Sequence, residues 1–289
     1  MTTATDSFAS GRPQPGSDVQ PVELEEQLVQ ALRGEFTPKF LATRDAEGTP
    51  NVVPIISLQS YDRRRLIFGN FLMWKTERNL KADPRVSVTV FTVDLLAATL
   101  RGLFEGFQKT GEFVDIVNSS PHMRYNAYMG VRSAGSIRIT EISAPLKFSK
   151  GGILFAALAA RLRGFQAGAE GADRRPLRPV VAARYARLSA VKVIAFLDRE
   201  GHPVAVPVGA LAPVRPDMLL FPRKPVEAWL ADLREGAPVA ASVITAEPVA
   251  FQVKGTYRSA DSGWGAVQVK AVYHASPPYV GKAIGDSSP

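Results

Sequence analysis

Residues 45–54 read DAEGTPNVVP, and residues 198–207 read DREGHPVAVP. The two stretches share an Asp-x-Glu-Gly turn and a proline-containing apolar segment, and they begin 198 − 45 = 153 positions apart. Such agreement at one constant offset predicts two copies of a single domain in one chain. The offset continues without a gap, and the identical pairs include Gly48/Gly201, Pro50/Pro203, Val53/Val206, Pro54/Pro207, Leu80/Leu233 and Gly102/Gly255.

Each copy has the pattern of a small antiparallel β-domain. A strand at 39–44 or 191–197 leads into the turn, where glycine supplies a positive φ. The proline in the next strand predicts an edge position or a bulge, because proline cannot donate to a sheet ladder. Short strands in this order, with one helix before the fourth strand, predict a small closed barrel. The predicted fold class is therefore mainly β with short helices.

Composition excludes several kinds of site. The chain has 289 residues and no cysteine, so it can form neither a disulfide nor a thiolate metal site. Its three histidines are scattered, and no metal site is predicted. No apolar run reaches the roughly 18 residues that cross a bilayer, and no signal peptide is recognisable, which predicts a cytoplasmic protein without a membrane partner. The net charge of +8 accompanies no nucleic-acid-binding motif, so no nucleic-acid partner is predicted.

The segment that joins the two copies is apolar and basic. Residues 153–162 read ILFAALAARL and predict a helix that packs against the barrels, with anchoring at a membrane surface as the alternative. The N-terminal arm is small, polar and rich in Pro and Gly, which predicts disorder. The predicted division is an arm (1–21), a first barrel (22–147), a helical and basic connector (148–187), a second barrel (188–276) and a tail (277–289).

A candidate site follows the third strand of the first copy. Residues 74–91 read WKTERNLKADPRVSVTVF, which places Lys75 and Thr76 at the start of a short helix before a β-branched strand. A helix N-terminus offers free N–H groups to an anion. A solvated helix start is the alternative interpretation.

The segments TRDAEGTPNVVPI, LIFGN, WKTERNLKADPRVSVTVF, RGLFEG and SIRITEI together resemble the pyridoxamine-5′-phosphate-oxidase-like superfamily of FMN-binding split barrels. The resemblance covers residues 36–143 well and residues 188–275 more weakly. Members are typically homodimers that hold FMN in grooves between two barrels. The resemblance therefore implies two tandem split β-barrels that form an intramolecular pseudo-dimer, which acts alone or forms a homodimer.

The resemblance also implies a set of cofactor-binding residues. In the family, the strand end and helix start bind the flavin phosphate, and a lysine charge with a threonine hydroxyl suits a phosphate dianion. At Trp74 the family often has a small hydroxyl residue, so the indole could line the flavin edge or block the site. The matching positions are Gly69, Asn70, Trp74, Lys75 and Thr76.

A second implied set lies on the strand after the turn. In the family this strand lays its backbone along the isoalloxazine ring, which is the part played here by Val53, Pro54 and Ile55. Ordinary barrel core is the alternative interpretation for Val53 and Ile55.

The second copy departs from the family pattern. Lys75 and Thr76 are replaced there by Ala228 and Trp229, so its phosphate site is either rebuilt on Arg223 and Lys224 or lost, and loss is favoured. The second barrel would then close the groove of the first, offering Gln252 or Lys254.

These residues predict an FMN-dependent oxidoreductase that acts on an unidentified small molecule, with NAD(P)H as one candidate electron donor. Flavin chemistry needs no dedicated protein acid, and no catalytic residue is predicted. The alternative is a non-catalytic protein that binds flavin, deazaflavin or haem. A haem protein would need an axial ligand, for which His122 and His274 are the candidates.

Overall fold

The computed structural model describes residues 22–284 except 36, 72, 122–129, 167–175, 262 and 278. The predicted N-terminal arm and residues 285–289 of the predicted tail therefore lie outside the described residues. The nearer part of that tail folds back on the second barrel, where Ala283 forms a bridge with Tyr273.

The first copy consists of a sheet with short helices at its edges. Its helices are α1 (Glu26–Arg33), α2 (Trp74–Ala82) and α3 (Glu112–Ser119). Its strands are β1 (Lys39–Arg44), β2 (Pro50–Pro54), β3 (Gln59–Ser60), β4 (Arg65–Gly69), β5 (Arg85–Phe91), β6 (Leu96–Gln108), β7 (Ala134–Ile142) and β8 (Leu146–Lys147).

The second copy follows helices α4 (Lys150–Gln166) and α5 (Pro179–Ala186). A 3-10 helix, Lys224–Leu230, takes the place of α2. Its strands are β9 (Val191–Leu197), β10 (Pro203–Val208), β11 (Ala212–Arg215), β12 (Met218–Pro222), β13 (Pro238–Ile244), β14 (Ala250–Asp261) and β15 (Trp264–His274).

The two copies have the same topology, and every strand pair is antiparallel. The strand order is β2-β1-β5-β6-β7-β4-β3 in the first sheet and β10-β9-β13-β14-β15-β12-β11 in the second, while β8 adds to β6. Each sheet curls around its own apolar core. The predicted mainly-β fold with two tandem split barrels is confirmed. The proline-containing strands β2 and β10 lie at sheet edges, where a missing N–H costs least.

The shared turn has the same geometry in both copies. Gly48 has a φ of 79° and Gly201 a φ of 76°, a conformation that favours glycine. The Asp45 carboxylate accepts a hydrogen bond from the Thr49 N–H at 2.6 Å, and Asp198 accepts one from the His202 N–H at 2.8 Å. The Asp and Gly residues that the two copies share thus specify the same hairpin turn in each.

The two barrels pack through the sheet region formed by β1, β2 and β5 against that formed by β9, β10 and β13. Small and apolar side chains fill the contact. Two hydrogen bonds related by the repeat cross it, because Gln252 Nε2 donates to the Val52 carbonyl at 2.6 Å and Thr99 Oγ1 donates to the Ala205 carbonyl at 2.9 Å. The contact cluster contains Phe40, Ala42, Val52, Val193, Ala195, Ala205, Ala240, Ile244, Ala250 and Ala275. The predicted intramolecular pseudo-dimer is confirmed.

The repeat includes a helix that sequence comparison missed. Helix α5 lies 153 positions after α1, and each helix is followed by a buried lysine. Lys39 Nζ donates to the Gly34 carbonyl at 2.9 Å, and its counterpart Lys192 donates to the Ala190 carbonyl at 3.1 Å. The second copy therefore extends further toward the N-terminus than the residue identities indicate.

Helix α4 packs on the second barrel with its small side chains. Ala156 and Ala160 are buried against the barrel, while four larger apolar residues point outward. These exposed residues are Leu154, Phe155, Leu158 and Leu162. Within the described ranges, no helix combines the length and the apolar character that crossing a membrane requires.

One insertion distinguishes the copies. Helix α3 and the residues after it separate β6 from β7, whereas a tight turn joins β14 to β15. The sequence predicts a helix over residues 115–129; α3 ends at Ser119, and residues 122–129 lie outside the described part of the chain.

Candidate cofactor site between the barrels

Lys75 reaches from the first barrel to the second. It lies in the first turn of α2, is half-buried, and places Nζ 5.7 Å from the ring centroid of Tyr273 on β15. It also interacts directly with the amine of Lys254 on β14. We call the region bounded by Lys75, Lys254 and Tyr273 the first groove.

The surroundings of Lys254 disfavour its positive charge. Burial is the main cause, and the hydrogen bond and repulsion from Lys75 add to it, so the pKa of Lys254 falls to about 7. The Asp45 carboxylate acts in the opposite direction but has the smallest influence. Two adjacent amines with so little compensation would be stabilised by a bound anion, which favours the charged form of both.

A buried polar cluster adjoins the first groove. The Asn51 side-chain carbonyl accepts a hydrogen bond from Gln252 Nε2 at 3.2 Å, and Thr43 Oγ1 accepts one from Asn79 Nδ2 at 3.0 Å. Thr43 and Asn51 face each other across β1 and β2. Asn79 lies one helical turn after Lys75, and Gln252 lies two strand positions before Lys254. The cluster is therefore continuous with the two lysines.

Two atoms of this cluster have no hydrogen-bond partner. Asn51 Nδ2 and Asn79 Oδ1 are fully buried and unsatisfied. Leaving a buried polar group unsatisfied costs about 1–3 kcal/mol, so a ligand or an ordered water that paired with these two atoms would stabilise the protein. One is a donor and the other an acceptor, which fits a ligand that carries both kinds of group.

The three residues predicted at the helix start point in different directions. Thr76 is 3% exposed and lies within the first barrel, whereas Trp74 is 60% exposed. The Arg132 guanidinium stacks on the Trp74 indole at 4.8 Å from the ring centroid. Consecutive helical residues diverge around the axis. Among the three, the structure brings Lys75 to the second barrel and places Trp74 at the surface beside Arg132.

Gly69 and Asn70 have local structural partners. A Cβ on Gly69 would lie 2.5 Å from Val131, so the packing here requires glycine. The Asn70 amide nitrogen donates to Glu77 Oε2 at 3.0 Å and to Ser133 Oγ at 3.3 Å. These bonds position the start of α2, and through it Lys75.

The side chains predicted on β2 belong mainly to the barrel core. Ile55 is 5% exposed within the core of the first barrel, and Val53 packs against that core. Pro54 lies opposite Phe40 in the register of β1 and β2. The side chains of Ile55 and Val53 therefore pack in the core, and a role of their backbone along a flavin ring stays a prediction.

Of the two candidate haem ligands, the structure describes only His274. His122 lies outside the described residues. His274 follows Tyr273 on β15, so it faces the other side of the strand, where its ring packs on Phe251 and Tyr279. Among the residues that the structure describes, no group of three or more His, Asp or Glu side chains could hold a metal ion.

A second groove lies at the position that the repeat makes equivalent to the first. It encloses about 180 Å³, and its lining includes Ala228 and Trp229, the counterparts of Lys75 and Thr76. Within the described chain, Arg223 and Lys224 are not among its lining residues. The lining consists of Thr99, Arg101, Glu141, Ser143, Phe196, Val204, Ala228, Trp229, Ala231 and Asp232.

Sequence reasoning anticipated Gln252 and Lys254 but missed Tyr273, Asn51 and Asn79. A signal for Asn51 exists in the repeat, because its counterpart Val204 is apolar as expected for a buried strand residue. A polar residue at such a position needs a partner or a function. Tyr273 gives no comparable signal, because the insertion in the first copy shifts the register between β7 and β15.

Comparison with known proteins finds a family model that matches the first barrel. Residues 24–144, less than half of the chain, match the family model described as pyridoxamine 5'-phosphate oxidase. No protein of curated function matches the chain.

Solved structures that are similar to this chain each correspond to about one barrel. A HupZ variant from Group A Streptococcus is 21% identical, covering 42% of this chain and 98% of its own at a TM-score of 0.35. An FMN-binding protein from Syntrophomonas wolfei is 17% identical, with 43% and 88% covered and a TM-score of 0.36. An F420 reductase is 26% identical, with 39% and 94% covered and a TM-score of 0.32.

The predicted resemblance is thereby confirmed: the first barrel of this chain, followed by a second of the same topology, is similar to the pyridoxamine 5'-phosphate oxidase family.

Proposed function

We propose that the protein is a flavin-dependent oxidoreductase that holds FMN in the first groove. The observation that carries the proposal is the pair of adjacent lysines, one from each barrel, beside a buried donor and acceptor without partners. A phosphomonoester carries nearly two negative charges near neutral pH and would neutralise both amines. Resemblance to flavin-binding split barrels over residues 24–144 supports a flavin as the carrier of that phosphate.

Each part of the first groove has a role in this proposal. Lys75 and Lys254 bind the phosphate as point charges, and Tyr273 adds a ring that packs beside Lys75. Asn51 and Asn79 offer a donor and an acceptor to the polar part of the cofactor. The opposed barrels exclude water from one side of the groove. When bound, the flavin supplies two-electron redox chemistry, and the protein positions it for a small-molecule substrate and an electron donor such as NAD(P)H.

The absorption spectrum and FMN titration of the purified protein test the proposal. We expect FMN binding by the wild type and a 10- to 100-fold weaker affinity in Lys75→Ala, since a charge-assisted contact contributes about 1.5–3 kcal/mol. Reduction of the bound flavin by NAD(P)H, followed anaerobically as loss of its visible absorbance, then tests the oxidoreductase activity.

Lys270→Ala is the matched control, because Lys270 is an exposed lysine on the same strand as Tyr273. This variant loses the same charge without touching the first groove and should bind FMN like the wild type. If the wild type binds no FMN, or if Lys75→Ala and Lys270→Ala bind it equally well, the proposed site is wrong.

A further inference from the structure

The repeat relates the two grooves residue by residue. The offset of 153 pairs Lys75 with Ala228, Thr76 with Trp229 and Asn79 with Asp232. It also pairs the polar Thr43 and Asn51 with the apolar Phe196 and Val204, which line the second groove. The structure therefore contains an internal comparison between two versions of one site.

The second groove has lost the uncompensated positive charge. Arg101 is the counterpart of Lys254, and its guanidinium donates to the Asp198 carboxylate at 2.8 Å and lies 3.5 Å from Glu141. In the first groove Asp45, the counterpart of Asp198, has the weakest influence on Lys254. Arg101 is thus neutralised within the fold, while Lys254 faces another amine.

A further carboxylate lines the second groove. Asp232 replaces Asn79 and pairs with Arg199 at 2.7 Å, and Glu141 contributes another negative charge to the lining. A phosphate entering this groove would meet carboxylates and the neutral Ala228 in place of two amines, which is unfavourable.

Space is also restricted in the second groove. Its volume of about 180 Å³ is below the roughly 300 Å³ at which ligand pockets begin. Trp229 adds a large side chain to this lining, whereas its counterpart Thr76 is buried within the first barrel. Size and charge therefore act together against a phosphorylated ring cofactor.

We infer that the protein binds one phosphorylated flavin per chain, in the first groove, and that Ala228, Trp229 and Asp232 close the second groove to it. This inference rests on the proposed function and assigns the specificity of each groove to residues at equivalent positions. The pseudo-dimer is then functionally asymmetric although its fold is nearly symmetric.

Stoichiometry measured by isothermal titration with FMN tests the inference. The wild type should bind one FMN per chain, and at an FMN concentration that just saturates it the Lys75→Ala variant should be mostly unoccupied, in keeping with its 10- to 100-fold weaker affinity. The triple variant Ala228→Lys, Trp229→Thr, Asp232→Asn should gain a second equivalent. The same three changes added to Lys75→Ala should restore one equivalent.

The outcomes separate the inference from the proposed function. Two FMN per chain in the wild type, falling to one in Lys75→Ala, would overturn the inference and leave the flavin function intact. No FMN binding in the wild type would remove both. The wild type and Lys75→Ala decide the stoichiometry alone, so a triple variant that fails to fold, as judged by circular dichroism, does not prevent a decision.

Discussion

Lys254 lies close to a second lysine, Lys75, which belongs to the opposite barrel. Its pKa of about 7 means that it is only partly protonated near neutral pH. In the ligand-free protein the folded state binds the proton more weakly than the unfolded chain does. Lys254 therefore destabilises the fold below about pH 7 and ceases to do so as the pH approaches its ordinary pKa of 10.5.

This titration predicts the pH dependence of FMN affinity. Affinity should fall as the pH rises above about 7, because Lys254 loses the charge that we propose binds the phosphate. Below about pH 6 the phosphate itself loses its second charge, so affinity should be highest between these values. Isothermal titration across this range, in buffers of different ionisation enthalpy, would show proton uptake on binding above pH 7.

Arginine at this position provides the control. Lys254→Arg keeps its charge throughout, so its affinity should not decline between about pH 7 and pH 9. A decline identical to that of the wild type would show that another group controls binding.

The residues of the site differ in how far the sequence alone could locate them. Lys75 was predictable because it is part of a local motif, a strand followed by a helix start. Tyr273 was not, because it lies 273 − 75 = 198 positions after Lys75 and approaches it only when the two barrels dock. Trp74 and Thr76 were predicted beside Lys75, but the rotation of about 100° per helical residue separates their side chains.

Helix α4 is an element whose existence, but not whose buried face, is predictable from the sequence. Its sequence predicts a helix, and the structure has one, but an apolar pattern on all sides leaves the buried face undetermined. The structure buries Ala156 and Ala160 and exposes Phe155, which is 75% accessible. Packing against β11 and β12 leaves room only for small side chains.

This orientation predicts that two substitutions on α4 change the free energy of unfolding by very different amounts. Ala160→Leu should destabilise the protein by about 1–3 kcal/mol, because the larger side chain overpacks a closed contact. Phe155→Ser should change the free energy of unfolding by less than about 0.5 kcal/mol, since the ring is exposed. Urea denaturation measures both, and a larger loss in Phe155→Ser would show that the helix is oriented differently.

Helix α5 illustrates why part of the repeat escaped detection. At the offset of 153, α1 and α5 have no identical residue, yet Leu28 and Leu32 of α1 correspond to the buried Val181 and Tyr185 of α5. A helix against a barrel needs apolar side chains one turn apart, and several residue types satisfy that need. The two copies therefore keep identical residues at the turn glycines, where a positive φ restricts the residue type, and differ in sequence at the helices.

At the scale of the whole molecule, hydrogen bonds across the contact between the two barrels contribute to stability. Gln252 Nε2 donates a hydrogen bond to the buried Val52 carbonyl. At the position that the repeat makes equivalent, Thr99 Oγ1 donates to the Ala205 carbonyl. Gln252→Ala should lower the free energy of unfolding by about 1–3 kcal/mol, because it leaves the Val52 carbonyl without its partner across the contact. Urea denaturation measures this change.

An exposed side chain on the outer surface provides the comparison. Lys109 is exposed at the end of β6, so Lys109→Ala should change the free energy of unfolding by less than about 0.5 kcal/mol. Equal effects from Gln252→Ala and Lys109→Ala would show that the hydrogen bond to Val52 does not stabilise the docked barrels.

Covalent fusion of the two barrels has an evolutionary consequence. In a homodimer the two subunits have the same sequence, so any substitution alters both grooves at once. Here Lys75 and Ala228 are encoded at separate positions of one chain, so one groove can change while the other keeps its residues. A tandem gene thus frees half of an ancestral interface for change without loss of the original activity.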